Sequence, residues 1–234
     1  MPDKNFIFNL RSLINMQLEL LIKDSATTIL AVSAGLVFYR KINLAGKLFL
    51  LQAIIYLIFD SAVMNSNNNV WIYNIYTLVE TFILFLAAGI ELKSKRIVWI
   101  LTLMFGAFLL IYIPELIVVK LSSDFVYMAA LTEYIFISCI YTFILYQRLN
   151  PSKNNEIDIS LTVISFGLVV FCAGSIPCLA AMKQLMHLDI ILSKELFKKI
   201  VVLLAVFRYL LLAIGFILSG KRINYNKGSE NGQI

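Results

Sequence analysis

Residues 97–119 read IVWILTLMFGAFLLIYIPELIVV, twenty-three residues interrupted by one charge, Glu115. A helix rising about 1.5 Å per residue crosses the roughly 30 Å hydrocarbon core of a bilayer in about 20 residues. This run has that length, and basic residues close it at both ends: Lys93, Lys95 and Arg96 before it, Lys120 after it. In water such a helix would expose apolar side chains on every face. In lipid it satisfies its own backbone hydrogen bonds and needs no apolar partner.

Working outward, the same reading applies six more times. Apolar runs occupy about 24–40, 46–64, 70–91, 124–146, 157–182 and 198–220, so seven spans are expected in one bundle over residues 24–220. The composition agrees. The chain is 60% hydrophobic and 15% charged, against about 45–50% apolar and 25% charged in soluble domains. Its mean hydropathy is +0.85. These values exclude a disordered chain, a disulfide scaffold and an ordinary soluble globule. The fold class is all-α, a polytopic membrane bundle with no room for a separate soluble domain. Residues 1–23, with Phe6, Leu10, Leu13 and Leu18 among polar neighbours, read as an amphipathic interfacial segment. Residues 221–234 read as a polar, disordered tail.

The net charge of +6 sits in the loops. It therefore points to lipid headgroups as a partner rather than to nucleic acid. The side holding the N-terminus collects eight Lys and Arg and the opposite side eleven; with Arg208 these are all 20. The positive-inside rule then expects the N-terminus outside and the C-terminus in the cytoplasm. Trp71 and Trp99 fall at span ends, where interfacial anchors belong. Cys139, Cys172 and Cys178 lie inside apolar runs, and His187 is the one histidine. No disulfide framework, metal site or cofactor is expected from that set.

The informative residues are ionisable groups within spans, each costing on the order of 2.5–3.5 kcal/mol at the bilayer centre. Glu80, Glu133 and Arg208 lie near the middle of the third, fifth and seventh runs, which traverse the membrane in the same direction. They are therefore expected near one depth. One arginine can offset one carboxylate. The second carboxyl must find another partner or hold a proton. Polar residues at helical spacing extend the set: Gln52, Tyr56 and Asp60 on the second span, Asn74 and Thr77 on the third, and Tyr127, Tyr134 and Tyr141 on the fifth. On the first span, Asp24, Thr27, Ala31 and Ala34 form the expected inward face. Asp60 and Glu115 are near span ends, where solvation at the interface is the plainer reading. In the sixth span, Gly174 and Pro177 are hinge candidates, because proline removes a backbone donor; a simple kink is the alternative. The Glu-bearing third and fifth spans also carry a faint internal likeness.

Enzyme motifs are missing: there is no G-x-S-x-G, P-loop or H-E-x-x-H. The chain is not read as an enzyme; a lipid-directed acid–base enzyme ranks last, because Glu80 and Glu133 look too deep for a headgroup. Two readings stand ahead of it. One is transport of a small solute or ion, with proton coupling through the carboxyls and Arg208 tuning them or taking an anion. The other is a non-catalytic sensor or assembly subunit acting through a protein partner.

The stretch Tyr73-Asn74-Ile75-Tyr76-Thr77-Leu78-Val79-Glu80, after an Asn-rich turn, resembles a group of uncharacterised bacterial seven-helix inner-membrane proteins. The resemblance implies an inner-membrane location and a seven-helix bundle, and no activity.

Overall fold

A computed structural model describes residues 25–64, 69–121, 124–150, 157–185, 190–219 and 222–223. The expected amphipathic segment at 1–23, Asp24, His187 and the tail beyond residue 223 lie outside these residues. So do Lys4, Arg11, Lys23 and Lys153 of the charge tally.

Among the described residues seven helices follow in order: α1 Ser25–Val37, α2 Leu44–Met64, α3 Val70–Leu92, α4 Lys95–Val118, α5 Tyr127–Leu149, α6 Ile159–Leu185 and α7 Ile190–Ile217. Six of them, α2 to α7, contain stretches long and apolar enough to cross a bilayer. The described part of α1 rises about 20 Å, short of a full crossing by itself. The chain is an all-α, multi-pass membrane protein.

The surface of the bundle supports this assignment. Leu103, Leu110 and Val118 on α4 are 67%, 78% and 79% exposed. In a soluble protein that band of apolar surface would drive aggregation; in lipid it is the solvated face. Polar side chains turn the other way, with Gln52, Thr81, Glu80, Glu133 and Arg208 all buried. Trp71 and Trp99 stand exposed near the starts of α3 and α4.

Glycine sets how closely some helices approach. A methyl group on Gly215 of α7 would lie 2.4 Å from Ile164 Cγ1 and 2.9 Å from the Ser160 carbonyl oxygen of α6. One on Gly35 of α1 would lie 2.4 Å from Leu50 on α2 and 3.0 Å from Phe216 on α7. Small residues let helix backbones meet where lipid offers no hydrophobic drive to associate. The buried face of α1 is Thr28, Ala31 and Gly35. That differs from the Thr27–Ala31–Ala34 stripe by a partial rotation, and the close seat of Gly35 on α2 and α7 accounts for it.

Each end of the bundle is tied by polar side chains. Where α3, α5 and α7 begin, Asn74 Nδ2 donates to the Leu121 and Asp124 carbonyls at 2.8 and 3.1 Å, and its Oδ1 accepts from the Val126 N–H at 3.2 Å. The Tyr112 hydroxyl donates to the Asn74 carbonyl at 2.9 Å. At that end Glu115 of α4 accepts the Met128 and Ala129 N–H groups at 2.9 and 2.7 Å. These are first-turn donors of α5 that have no partner within their own helix.

Where the same helices finish, Arg148 of α5 pairs with Glu91 of α3 and donates to the Asp158 carbonyl at 2.9 Å. Asp158 accepts from Asn43 at 3.2 Å and from the Leu161 N–H at 3.3 Å, capping α6. A two-residue ladder, β1 Ile157–Asp158 with β2 Arg222–Ile223, runs antiparallel at this end. Residues 222–223 of the expected disordered tail are thus paired, because the chain leaving α7 passes beside the α5–α6 connection.

Candidate functional site

Arg208 lies on the inward face of α7 with Ala205 and Leu212. Its guanidinium reaches Glu80 Oε1 of α3 at 2.7 Å. The same group sits 4.9 Å from the Phe171 ring of α6 and 5.5 Å from the Tyr209 ring. Ion pair and ring faces together replace water around this buried charge. Gln52 of α2 adds a second donor to Glu80: its Nε2 lies 3.2 Å from Oε1, 2.6 Å from the Tyr76 hydroxyl and 3.5 Å from the Tyr209 hydroxyl. Four helices therefore converge on one arginine–glutamate pair.

Glu133 of α5 is the carboxyl left over. It is 1% exposed, and its Oε1 has no hydrogen-bond partner among the described residues. Thr81 lies against this carboxyl. The Thr81 hydroxyl donates to the Thr77 carbonyl at 2.7 Å.

The aromatic residues pack toward the end where α3 begins. Tyr56 meets Tyr209 at 5.1 Å and Tyr76 at 5.6 Å, and Phe59 meets Tyr76 at 5.6 Å between ring centroids. Tyr56 and Tyr76 are only partly buried.

The other sequence-derived candidates fall elsewhere. Asp60 accepts from the Ser25 hydroxyl at 2.8 Å and ties α1 to α2. Asn74 is spent on the α4–α5 connection. Gly174 seats α7: a methyl there would come within 2.9 Å of Leu204. Pro177 lies inside α6, which runs on as a helix past it. The Cys178 thiol lies 3.6 Å from the Gly174 carbonyl in the same stretch. Ser175, one turn beyond Phe171, is fully buried with no hydrogen-bond partner for Oγ among the described residues.

Sequence reasoning missed Tyr76, Tyr209 and Phe171 as the surroundings of Arg208, and it missed the Glu91–Arg148–Asp158 network. Helical spacing carried a signal for the first group: Tyr76 lies one turn before Glu80, and Tyr209 adjoins Arg208. For the second, Glu91 and Arg148 close helices that run in the same direction, so they arrive at one end.

No group of three or more His, Cys, Asp or Glu side chains among the described residues is placed to hold a metal. No family model, curated protein or solved structure matches the chain.

Proposed function

We propose that this membrane protein moves a small solute or ion through a proton-binding site at Glu133, in a bacterial inner membrane, with the C-terminus in the cytoplasm. One observation carries the reading: a fully buried carboxyl, with an unpartnered oxygen, stands beside a Glu80–Arg208 pair that already satisfies its own charges. An ionised, unpaired carboxylate at this depth is costly, so the site holds a proton and can release it only when something compensates. Clusters of this kind belong to proton relays and coupled transporters. The orientation rests on the basic residues Arg40, Lys41, Lys47, Lys93, Lys95 and Arg96, all at the end where α3 finishes.

The test is carbodiimide labelling in lipid vesicles, read by mass spectrometry across pH. These reagents attack protonated carboxyls in apolar surroundings. Glu133 is expected to react at neutral pH, with the reaction fading as pH rises, while Glu80 stays unmodified. In reconstituted vesicles Glu133→Gln then abolishes flux without lowering abundance.

The second reading, a sensor or assembly subunit, draws on the closure of the Glu80–Arg208 pair on itself, which is what a structural clamp needs. Failure of Glu133 to react except at low pH, or after Arg208→Leu, would favour it, and co-purification from native membrane would then look for the partner.

A further inference from the structure

Two buried acceptors flank the Glu80–Arg208 pair. Gln52 Oε1 and Glu133 Oε1 have no hydrogen-bond partner among the described residues, and both side chains are 1% exposed. The Gln52 amide is oriented by its bond to Glu80, because a carboxylate oxygen accepts only from the Nε2 side. Its carbonyl oxygen is therefore left facing other neighbours. Buried polar atoms in folded proteins are nearly always paired. A molecule that satisfied both would have to donate at least two hydrogen bonds.

Charge narrows the class. Arg208 is neutralised by Glu80, so the pair offers no spare cation to an anionic solute. Ionised Glu133 brings one uncompensated negative charge. The rings of Tyr56, Tyr76 and Tyr209 pack together beside Gln52, and aromatic faces attract cations. We propose that the site takes a small organic cation with N–H donors, a guanidinium or protonated amine, bound in exchange for the Glu133 proton. This inference rests on the proton-site reading above. Charge balances in the exchange: one monocation arrives, one proton leaves, and the site stays neutral. The ionisable groups acting on Glu133 are Glu80 from α3, Arg208 from α7, Cys172 from α6, Tyr112 from α4 and Tyr134 on its own helix. Arg208 and Glu80 cancel, so a competing cation acts chiefly against the proton.

The experiment uses the full-length protein in phosphatidylethanolamine–phosphatidylglycerol vesicles and reads carbodiimide modification of Glu133. The probe is guanidinium at about 10 mM, roughly ten times a dissociation constant of about 1 mM. Tetramethylammonium supplies the same charge without N–H donors; urea supplies the donors without charge. On the alkaline limb of the labelling profile, where Glu133 is mostly ionised, guanidinium is expected to slow labelling about tenfold. It binds the ionised form, so more acid is needed to restore the proton, and the labelling profile moves about one unit to lower pH. Tetramethylammonium and urea are expected to leave it in place. Labelling that guanidinium does not slow, or that tetramethylammonium slows equally, overturns the inference while leaving the proton site standing. Absence of any Glu133 labelling at neutral pH overturns the proton-site reading itself, and this inference with it.

Discussion

Arg208 and Glu133 carry opposite consequences for substitution, although both are buried. Arg208→Met leaves Glu80 desolvated with only Gln52 as donor. Breaking a buried ion pair from one side costs about 3–5 kcal/mol. The drop is expected in the unfolding transition of the protein in mild detergent. Pairing Arg208→Met with Glu80→Leu removes the orphaned charge, so the double variant is expected to be more stable than Arg208→Met alone. Glu133→Gln behaves differently. Glutamine matches a protonated glutamate in size and is uncharged, so stability is expected to change by less than about 1 kcal/mol. Proton-dependent labelling and flux are the properties that disappear. A large destabilisation by Glu133→Gln would mean that the carboxylate form is structurally required, and would overturn the proton-site reading.

At the scale of elements, the connections decide which helix ends stay in register. Glu115 reaches from α4 to the first N–H groups of α5 and does for α5 what an N-cap side chain does within a helix. Glu115→Ala is expected to cost about 1–2 kcal/mol, the range for lost caps, with faster amide exchange at Met128 and Ala129. By sequence, Asn74 counts among the binding-site candidates, six residues before Glu80 on the same helix. Its bonds go to Leu121, Asp124 and Val126, so Asn74→Ala is expected to lower stability while leaving the pH profile of Glu133 labelling unchanged. The seam between α6 and α7 is governed by volume. Gly215→Leu forces a side chain into Ile164 and the Ser160 carbonyl, and overpacking of that kind costs about 1–3 kcal/mol. Alanine at Gly106, where an added methyl meets nothing within 4 Å, serves as the neutral comparison.

For the whole molecule, the basic residues and the polar ties define two unlike ends. Labelling with an impermeant maleimide, with Cys139, Cys172 and Cys178 replaced by alanine, gives a direct reading of topology. Lys95→Cys is expected to react from the cytoplasmic side and Lys120→Cys from the opposite side. The reverse result would invert the proposed orientation without disturbing the bundle. The sequence by itself determined the solvent, the helices and the layer. Runs such as 97–119 have no stable form except a helix in lipid, because a backbone without water must bond to itself. The placement of Glu80, Glu133 and Arg208 near one depth followed from helix rise alone. Partner choice was another matter. Glu80 and Glu133 look alike in the sequence, each a mid-span glutamate among apolar residues. Only the tertiary structure gave Arg208 to Glu80 and left Glu133 Oε1 without a hydrogen-bond partner among the described residues. It also gave Asn74 to the α4–α5 connection and Asp60 to Ser25 of α1, and joined Glu91 to Arg148 across 57 residues of chain. The physical reason is that rise along a helix is a local property of the backbone. Rotation about the helix axis and distance to a neighbouring helix are set by side-chain packing between elements, including the glycine contacts at Gly35 and Gly215.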